Sequence, residues 1–255
     1  MHYAVNITLI FILGLIVGSF SNVCIYRIPR NESIIYPASH CPNCSTTIKP
    51  IDNIPLLSYI LLKGRCRNCR NRISLEYPIV EFLTGIIYIL IFLMYGLNWQ
   101  FIVYMILSTA LIIIAFIDLN EQIIPDVISL PGIALGLILS FFVPYISFMN
   151  SILGAVAGGG IILIIALAGS VIFKKEAMGG GDVKLASMVG AFLGWRYTVI
   201  SLFFGFFLGA LAGVFLILSK IKNKEDLIPF GPFIILGTFI SILYGEKIIS
   251  WYLGY

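Results

Sequence analysis

Long runs of apolar residues, separated by short polar segments, dominate the chain. A helix needs about 20 mostly apolar residues to cross a bilayer. The runs lie at residues 3–26, 79–95, 101–117, 127–144, 152–173, 183–195, 197–218 and 228–243. The run at 183–195 is the shortest, with a length more typical of a buried or re-entrant helix. The pattern predicts an all-α polytopic membrane protein with about eight transmembrane helices.

Composition supports this prediction. Of the 255 residues, 60% are hydrophobic and only 11% are charged, against about 25% charged in soluble domains. The first run carries no charge before Arg27 and lacks both a basic start and a small-residue cleavage site. We therefore interpret it as a retained helix rather than a cleaved signal peptide.

The distribution of basic residues predicts the orientation. Eight of the 16 lysines and arginines lie between Arg27 and Arg72, which places this loop in the cytosol by the positive-inside rule. With eight spans, both termini lie outside, and the lysines at 174, 175, 184, 220, 222 and 224 are also cytosolic. Only Arg196 and Lys247 then lie outside. The net charge of +4 is thus interpreted as a signal of topology and of contact with the lipid bilayer, not of nucleic-acid binding.

The chain is expected to divide into a first transmembrane helix (1–26), a cytosolic loop (27–77) and a membrane region (78–255). Several enzyme classes are excluded early. The two histidines, His2 and His40, form neither a hydrolase triad nor an HExxH metal site, and there is no P-loop sequence. Catalysis would therefore depend on acidic, basic or thiol groups.

Four cysteines in the cytosolic loop form two CxxC pairs, Cys41 with Cys44 and Cys66 with Cys69. Thiols stay reduced in the cytosol, and four thiolates on two tight turns suit a closed, structural zinc site. Two disulfides or a redox pair are the alternatives. His40 could replace one ligand, although four cysteines already complete the site. Cys24 lies in the first apolar run and is expected to be a packing residue.

The loop has little apolar material for a core of its own. Bound zinc could supply the missing folding free energy. Since a site of four cysteines leaves no open coordination position, we expect zinc to shape a docking surface rather than to catalyse a reaction.

Acidic residues near the hydrocarbon are costly and indicate function. Asp118 ends an apolar run, where the helix dipole disfavours negative charge. Asp126 follows Pro125 at the start of the next run and is interpreted as a helix N-cap. Asp182 follows three glycines, Gly179 to Gly181, which permit unusual dihedral angles and close backbone approach.

In the predicted topology, Asp118 and Asp182 lie at the same membrane depth on the cytosolic side. Two carboxyls held close together do not both ionise easily, so one can act as an acid while the other activates water. The sequence therefore predicts aspartic-protease chemistry at the membrane surface, with Asp118 and Asp182 as the catalytic pair.

Several motifs resemble those of the bacterial type IV prepilin peptidases. The stretch 117–126 (IDLNEQIIPD) is similar to the first aspartate motif of that family, and 179–185 (GGGDVKL) is similar to its GxGD motif, shared in outline with presenilin-type proteases. Gly180 stands where many members carry a bulkier residue. Further similarity extends over 18–29, 39–44, 52–59, 64–66 and 77–81, so that the resemblance covers residues 14 to 194.

The resemblance implies a bifunctional enzyme of the bacterial cytoplasmic (inner) membrane. Such an enzyme cleaves the basic leader from type IV prepilins or pseudopilins and then methylates the new N-terminal amine with S-adenosylmethionine. No glycine-rich methyltransferase motif is visible, and no residue is assigned to S-adenosylmethionine. The alternatives are a proton-coupled transporter that uses the two aspartates and a zinc-ribbon membrane adaptor without catalysis.

Overall fold

The structure is a computed structural model that describes residues 2–173, 178–219 and 228–254. Within these ranges the secondary structure is helical, with two isolated β-bridges in the cysteine loop and no longer strand. The α-helices are α1 (His2–Arg27), α2 (Leu57–Leu61), α3 (Glu76–Tyr95), α4 (Trp99–Glu121), α5 (Asp126–Leu139), α6 (Phe148–Phe173), α7 (Gly180–Leu218) and α8 (Gly231–Leu253). Two 3₁₀ turns lie in the loop, at Ile28–Arg30 and Pro50–Asn53.

Six of the helices, α1, α3, α4, α6, α7 and α8, are long and apolar enough to cross a membrane. The all-helical membrane class is confirmed, but the count of eight spans is not. Helix α5 has 14 residues, a length of about 21 Å against the roughly 30 Å of the hydrocarbon core.

Helix α7 (Gly180–Leu218) consists of two helical parts, which correspond to the predicted runs 183–195 and 197–218. The two parts meet at a kink at Gly194, where φ is 76° and ψ is 169°. Glycine adopts these angles readily because it has no Cβ. The backbone at Gly194 is therefore not helical, and the boundary predicted between the two runs falls next to this residue.

The chain divides into two compact units, Met1–Phe101 and Ile102–Tyr255. In the first unit, α1 packs on α3 at small residues. A Cβ on Gly14 would lie 2.6 Å from the Cα of Gly85, and a Cβ on Gly18 would lie 2.6 Å from the Cα of Glu81. Small residues at such positions let the backbones of membrane helices approach closely.

Helix α7 is the centre of the second unit, with α5, α6 and α8 packed against it. Glycines again mark the contacts. A Cβ on Gly190 of α7 would overlap the backbone of Gly154 in α6, and a Cβ on Gly237 of α8 would overlap the carbonyl of Ser201 in α7. Close packing of these helices leaves little freedom in where their ends lie.

The predicted orientation stays a prediction, as does the division at residues 26 and 77. Five of the lysines used for it, at 174, 175, 220, 222 and 224, lie outside the described residues.

The packing of α6 on α7 can be tested with a single methyl group. We expect Gly190→Ala to lower the stability of the purified protein by about 1–3 kcal/mol, because the new Cβ overpacks the contact with Gly154. Gly160→Ala is the matched control, since a Cβ on Gly160 meets nothing within 4 Å. Thermal unfolding in detergent measures both. Equal melting temperatures for the two variants would contradict this account of the packing.

Candidate active site and metal centre

Asp118 lies in the last turn of α4. The helix ends just beyond it, where the N–H of Gln122 donates to the carbonyl of Asp118 at 3.0 Å and Gln122 adopts a φ of 56°. The aspartate is only 5% exposed. A carboxyl group is thus held in the protein interior near a helix end.

Asp182 lies in the first turn of α7. Gly179 caps this helix in an extended conformation, and the N–H of Asp182 donates to its carbonyl at 3.1 Å. Asp182 is 8% exposed. Gly180 and Gly181 have ordinary helical angles, so unusual dihedrals are not what these glycines provide.

Of the three glycines before Asp182, Gly181 is the one at which another segment of the chain comes close. A Cβ on Gly181 would lie 2.9 Å from the Cβ of Ile124, in the segment between α4 and α5. A Cβ on Gly180 would meet nothing within 4 Å, which fits the variable position of a GxGD pattern. The missing side chain at Gly181 lets the start of α7 come close to the end of α4.

Asp118 and Asp182, the proposed pair, both lie at this site. Their carboxyls are close enough to interact electrostatically. Oδ2 of Asp118 and Oδ1 of Asp182 are buried and make no hydrogen bond among the described residues. Buried polar atoms are rarely left without partners, and such exceptions suggest a place for water or a ligand.

A third helix end lies at this site, which the sequence analysis missed. Gly231 begins α8, and a Cβ on it would lie 2.5 Å from Oδ2 of Asp118 and 3.3 Å from Cδ1 of Ile124. In the sequence, residues 228–243 stand out only as an apolar run. The signal that could have indicated a helix start is the dipeptide Gly231-Pro232, since proline is favoured in the first turn.

Asp126 does not have the predicted capping role. Pro125 occupies the N-cap position, and no side chain caps the helix. The Asp126 carboxylate instead accepts two hydrogen bonds from Nζ of Lys184, at 2.7 and 2.8 Å. Side-chain exposures of 57% and 37% make this a surface ion pair of modest strength, about 1 kcal/mol or less.

The four cysteines of the loop form one cluster. The sulfur atoms of Cys41, Cys44, Cys66 and Cys69 all lie within 4.8 Å of one another. Cys41 and Cys69 are 3.8 Å apart, about the separation of two sulfurs in a tetrahedral site with Zn–S bonds of about 2.3 Å. All four are free thiols, and His40 is not part of the group. The donor set can hold a metal ion, and its chemistry fits zinc.

The two CxxC turns have the same backbone structure. Ser45 and Arg70, one residue beyond each pair, both have positive φ. The matching hydrogen bonds are Cys41 N to Thr46 O, Ser45 N to Cys41 O and Ile48 N to Ser39 O in the first turn, and Cys66 N to Asn71 O, Arg70 N to Cys66 O and Ile73 N to Gly64 O in the second. Two equivalent knuckles thus present their thiols to one point.

The surroundings favour the thiolate at Cys44 and Cys66, whereas partial desolvation and the neighbouring thiols raise the pKa of Cys69 to about 11. Hydrogen bonds from Thr46, and then from Asn68, lower the pKa of the Cys44 thiol to about 6. Backbone N–H groups of Cys69 and Asn68 lower the pKa of Cys66. The fifth cysteine, Cys24, is buried in α1 as expected for a packing residue.

Buried charged groups anchor the rest of the loop. Arg27, 4% exposed, donates to the carbonyls of Ser33 and Pro37 at 2.8 and 2.7 Å. Oε2 of Glu81, in α3, accepts the N–H of Leu56 at 2.8 Å. Leu56 has a φ of 59°, which is unfavourable for leucine, so this bond fixes a strained backbone.

Comparison with known proteins identifies the family. The bacterial peptidase A24 N-terminal domain matches residues 12–95, and the type IV leader peptidase family matches residues 105–214. These matches fall in the first and second compact units respectively. The chain belongs to the type IV leader peptidase family, and the resemblance seen in its motifs is confirmed.

Curated relatives are similar in sequence to this chain over most of its length. A prepilin leader peptidase/N-methyltransferase of Aeromonas salmonicida is 33% identical over 97% of this chain and 94% of its own. A Bacillus subtilis protein with the same description is 34% identical over 97% and 98%, and one from Myxococcus xanthus is 38% identical over 85% and 67%. No solved structure matches the chain.

The Glu81 anchor yields a prediction for the loop. We expect Glu81→Ala to weaken the attachment of residues 50–62 by about 1–3 kcal/mol, because the half-buried N–H of Leu56 loses its acceptor. Limited proteolysis should cut this segment faster. Glu81→Gln keeps an acceptor oxygen and should stay close to the unsubstituted protein. If the alanine and glutamine variants are cut at the same rate, the hydrogen bond is not what anchors the segment.

Proposed function

We propose that this protein is a membrane aspartic endopeptidase that removes the basic leader of type IV prepilins or pseudopilins at the cytosolic face of the bacterial cytoplasmic membrane. The observation that carries the proposal is the pair of buried carboxyls, from the end of α4 and the start of α7, with one unpartnered oxygen on each. The family membership and the description of the relatives support the same substrate class.

Asp118 and Asp182 are proposed to share one proton. The ionised carboxyl takes a proton from water, whose oxygen attacks the scissile carbonyl carbon, and the protonated carboxyl gives its proton to the carbonyl oxygen. Collapse of the tetrahedral intermediate breaks the C–N bond as the carboxyl that took the proton from water gives it to the leaving amine. The other carboxyl takes a proton back from a hydroxyl of the intermediate, which restores the shared proton. The unpartnered Oδ1 of Asp182 is where water or the peptide group would bind.

Substrate orientation follows from charge. The basic leader would stay in the cytosol, and the apolar segment behind it would lie along the exposed apolar faces of the helices. The scissile bond would then reach the depth of the two aspartates. Within the described residues the helices present many exposed apolar side chains, among them Phe203, Phe207 and Leu211 of α7.

A second activity, N-methylation of the new N-terminus, comes from the description of the relatives. It implies S-adenosylmethionine as methyl donor. An open depression of about 440 Å³ on the helix surface, beside Phe204, Tyr244 and Trp251, is lined by apolar residues with one lysine and no carboxylate. That lining does not fit a cationic sulfonium cofactor, so we assign it no residue and derive no step through it.

The other functions considered have less support. A proton-coupled transporter is not supported, since the family and its curated relatives are peptidases. A zinc-ribbon adaptor accounts for the four cysteines but not for the paired aspartates. We propose zinc as a structural ion of the loop, held by Cys41, Cys44, Cys66 and Cys69, where it orders the backbone and shapes a docking surface.

The zinc proposal predicts about one zinc ion per purified chain. Cys41→Ser and Cys66→Ser should lose the metal and expose the loop to proteolysis, while the membrane helices stay folded. Cys24→Ala is the matched control, because this cysteine lies outside the cluster. Elemental analysis of protein purified under reducing conditions without chelators measures the metal, and a metal-free protein would refute the proposal.

The catalytic proposal predicts that Asp118→Asn and Asp182→Asn each slow leader cleavage by at least about 100-fold, because an amide cannot exchange the required proton. The double variant should be hardly worse than either single one, since the two groups act as a unit. Single-turnover cleavage of a prepilin in detergent measures the rate.

Asp126→Asn is the control for this experiment. Its ion pair with Lys184 is on the surface, and asparagine can still accept a hydrogen bond, so cleavage should stay within about threefold of the unsubstituted rate. Loss of cleavage in Asp126→Asn together with activity in Asp118→Asn would mean that the catalytic pair is wrongly assigned.

A further inference from the structure

The start of α8 lies directly against one of the proposed catalytic carboxyls. Gly231 is the first residue of this 23-residue helix and is buried. Its backbone amide faces the carboxyl of Asp118. Pro232 has no N–H, and the N–H groups of Phe233 and Ile234 both donate to the carbonyl of Phe230. The amide of Gly231 is thus the first-turn donor that is directed toward the site.

A side chain at this position would displace the carboxyl group of Asp118. A Cβ on residue 231 would lie 2.5 Å from Oδ2 and 3.3 Å from Cγ of Asp118. Oδ2 is buried and makes no hydrogen bond among the described residues, in an aspartate that is only 5% exposed. A buried, unpartnered carboxylate oxygen therefore faces the amino-terminal end of a long helix.

The contact between the start of α8 and Asp118 is electrostatically favourable for an ionised carboxyl. Asp118 lies at the carboxyl end of its own helix, α4, where the partial negative charge of the helix dipole opposes an ionised side chain. The amino-terminal end of α8 carries partial positive charge of similar size. The start of α8 offsets the unfavourable field of α4 without placing a cationic side chain in the site.

We propose that Gly231 is a positioning residue for peptide cleavage, and that the start of α8 is the third element of the catalytic site. Its backbone holds the Asp118 carboxyl toward Asp182, and the missing side chain leaves the space that this carboxyl occupies. The inference rests on the proposed function, because it assumes that Asp118 reacts.

The first test measures cleavage by Gly231→Ala. We expect kcat to fall by about 100-fold, as for a catalytic group displaced by about 1 Å, while KM stays within about twofold because the substrate-binding surface is unchanged. Gly160→Ala is the matched control in α6 and should cleave normally. A Gly231→Ala variant with the kcat of Gly160→Ala would overturn the inference.

The second test separates positioning of Asp118 from general helix packing. Gly231→Ala should lower the melting temperature in the unsubstituted protein but much less in an Asp118→Ala background, where the carboxylate that the new Cβ meets is gone. An equal decrease in both backgrounds would overturn the inference. If Gly231→Ala fails to insert into the membrane in the unsubstituted background, insertion of the double variant Gly231→Ala/Asp118→Ala supports the contact. Failure of the double variant to insert overturns the inference.

The proposed function and the inference fail differently. Full cleavage by Asp118→Asn refutes the catalytic pair itself. An inactive Asp118→Asn variant together with a fully active Gly231→Ala variant leaves the peptidase proposal intact and refutes only the role of α8.

Discussion

Two carboxyl groups are buried near helix ends in a protein with few other charges, and the second unit is built around this constraint. A buried carboxylate is unfavourable unless nearby dipoles or hydrogen bonds stabilise it. Asp182 lies in the first turn of its own helix, where the dipole favours negative charge. Asp118 lies at the opposite kind of end and depends on the start of α8, at Gly231.

Helix packing through small residues makes this convergence possible. The contacts of Gly190 with α6 and of Gly237 with α7 fix the helices of the second unit closely side by side. At the site, Gly181 lets α7 approach Ile124, and Gly231 lets α8 approach Asp118 and the same isoleucine. Ile124 therefore lies between two helix starts, and the missing side chains at both glycines determine how near the carboxyls come.

Features encoded locally could be predicted from the sequence, whereas features that depend on distant contacts could not. Apolar runs and CxxC spacing identified the helices and the cysteine cluster, because both are short-range patterns. The role of Asp126 was wrong, since its partner Lys184 lies 58 residues away. The role of Gly231 was missed for the same reason. The break predicted between the runs 183–195 and 197–218 is present as a kink at Gly194, where the backbone leaves the helical conformation.

The first unit is stabilised in another way. Its membrane helices pack at Gly14 and Gly85, but the loop that joins them has mostly exposed or half-buried side chains. The loop instead depends on a few strong polar anchors, Arg27 and Glu81, and on four converging thiols. Buried charges that are fully hydrogen-bonded specify one geometry, because any other leaves them unpaired. A metal ion bound by the thiols would restrict the loop further, since a tetrahedral site accepts only one arrangement of the two knuckles.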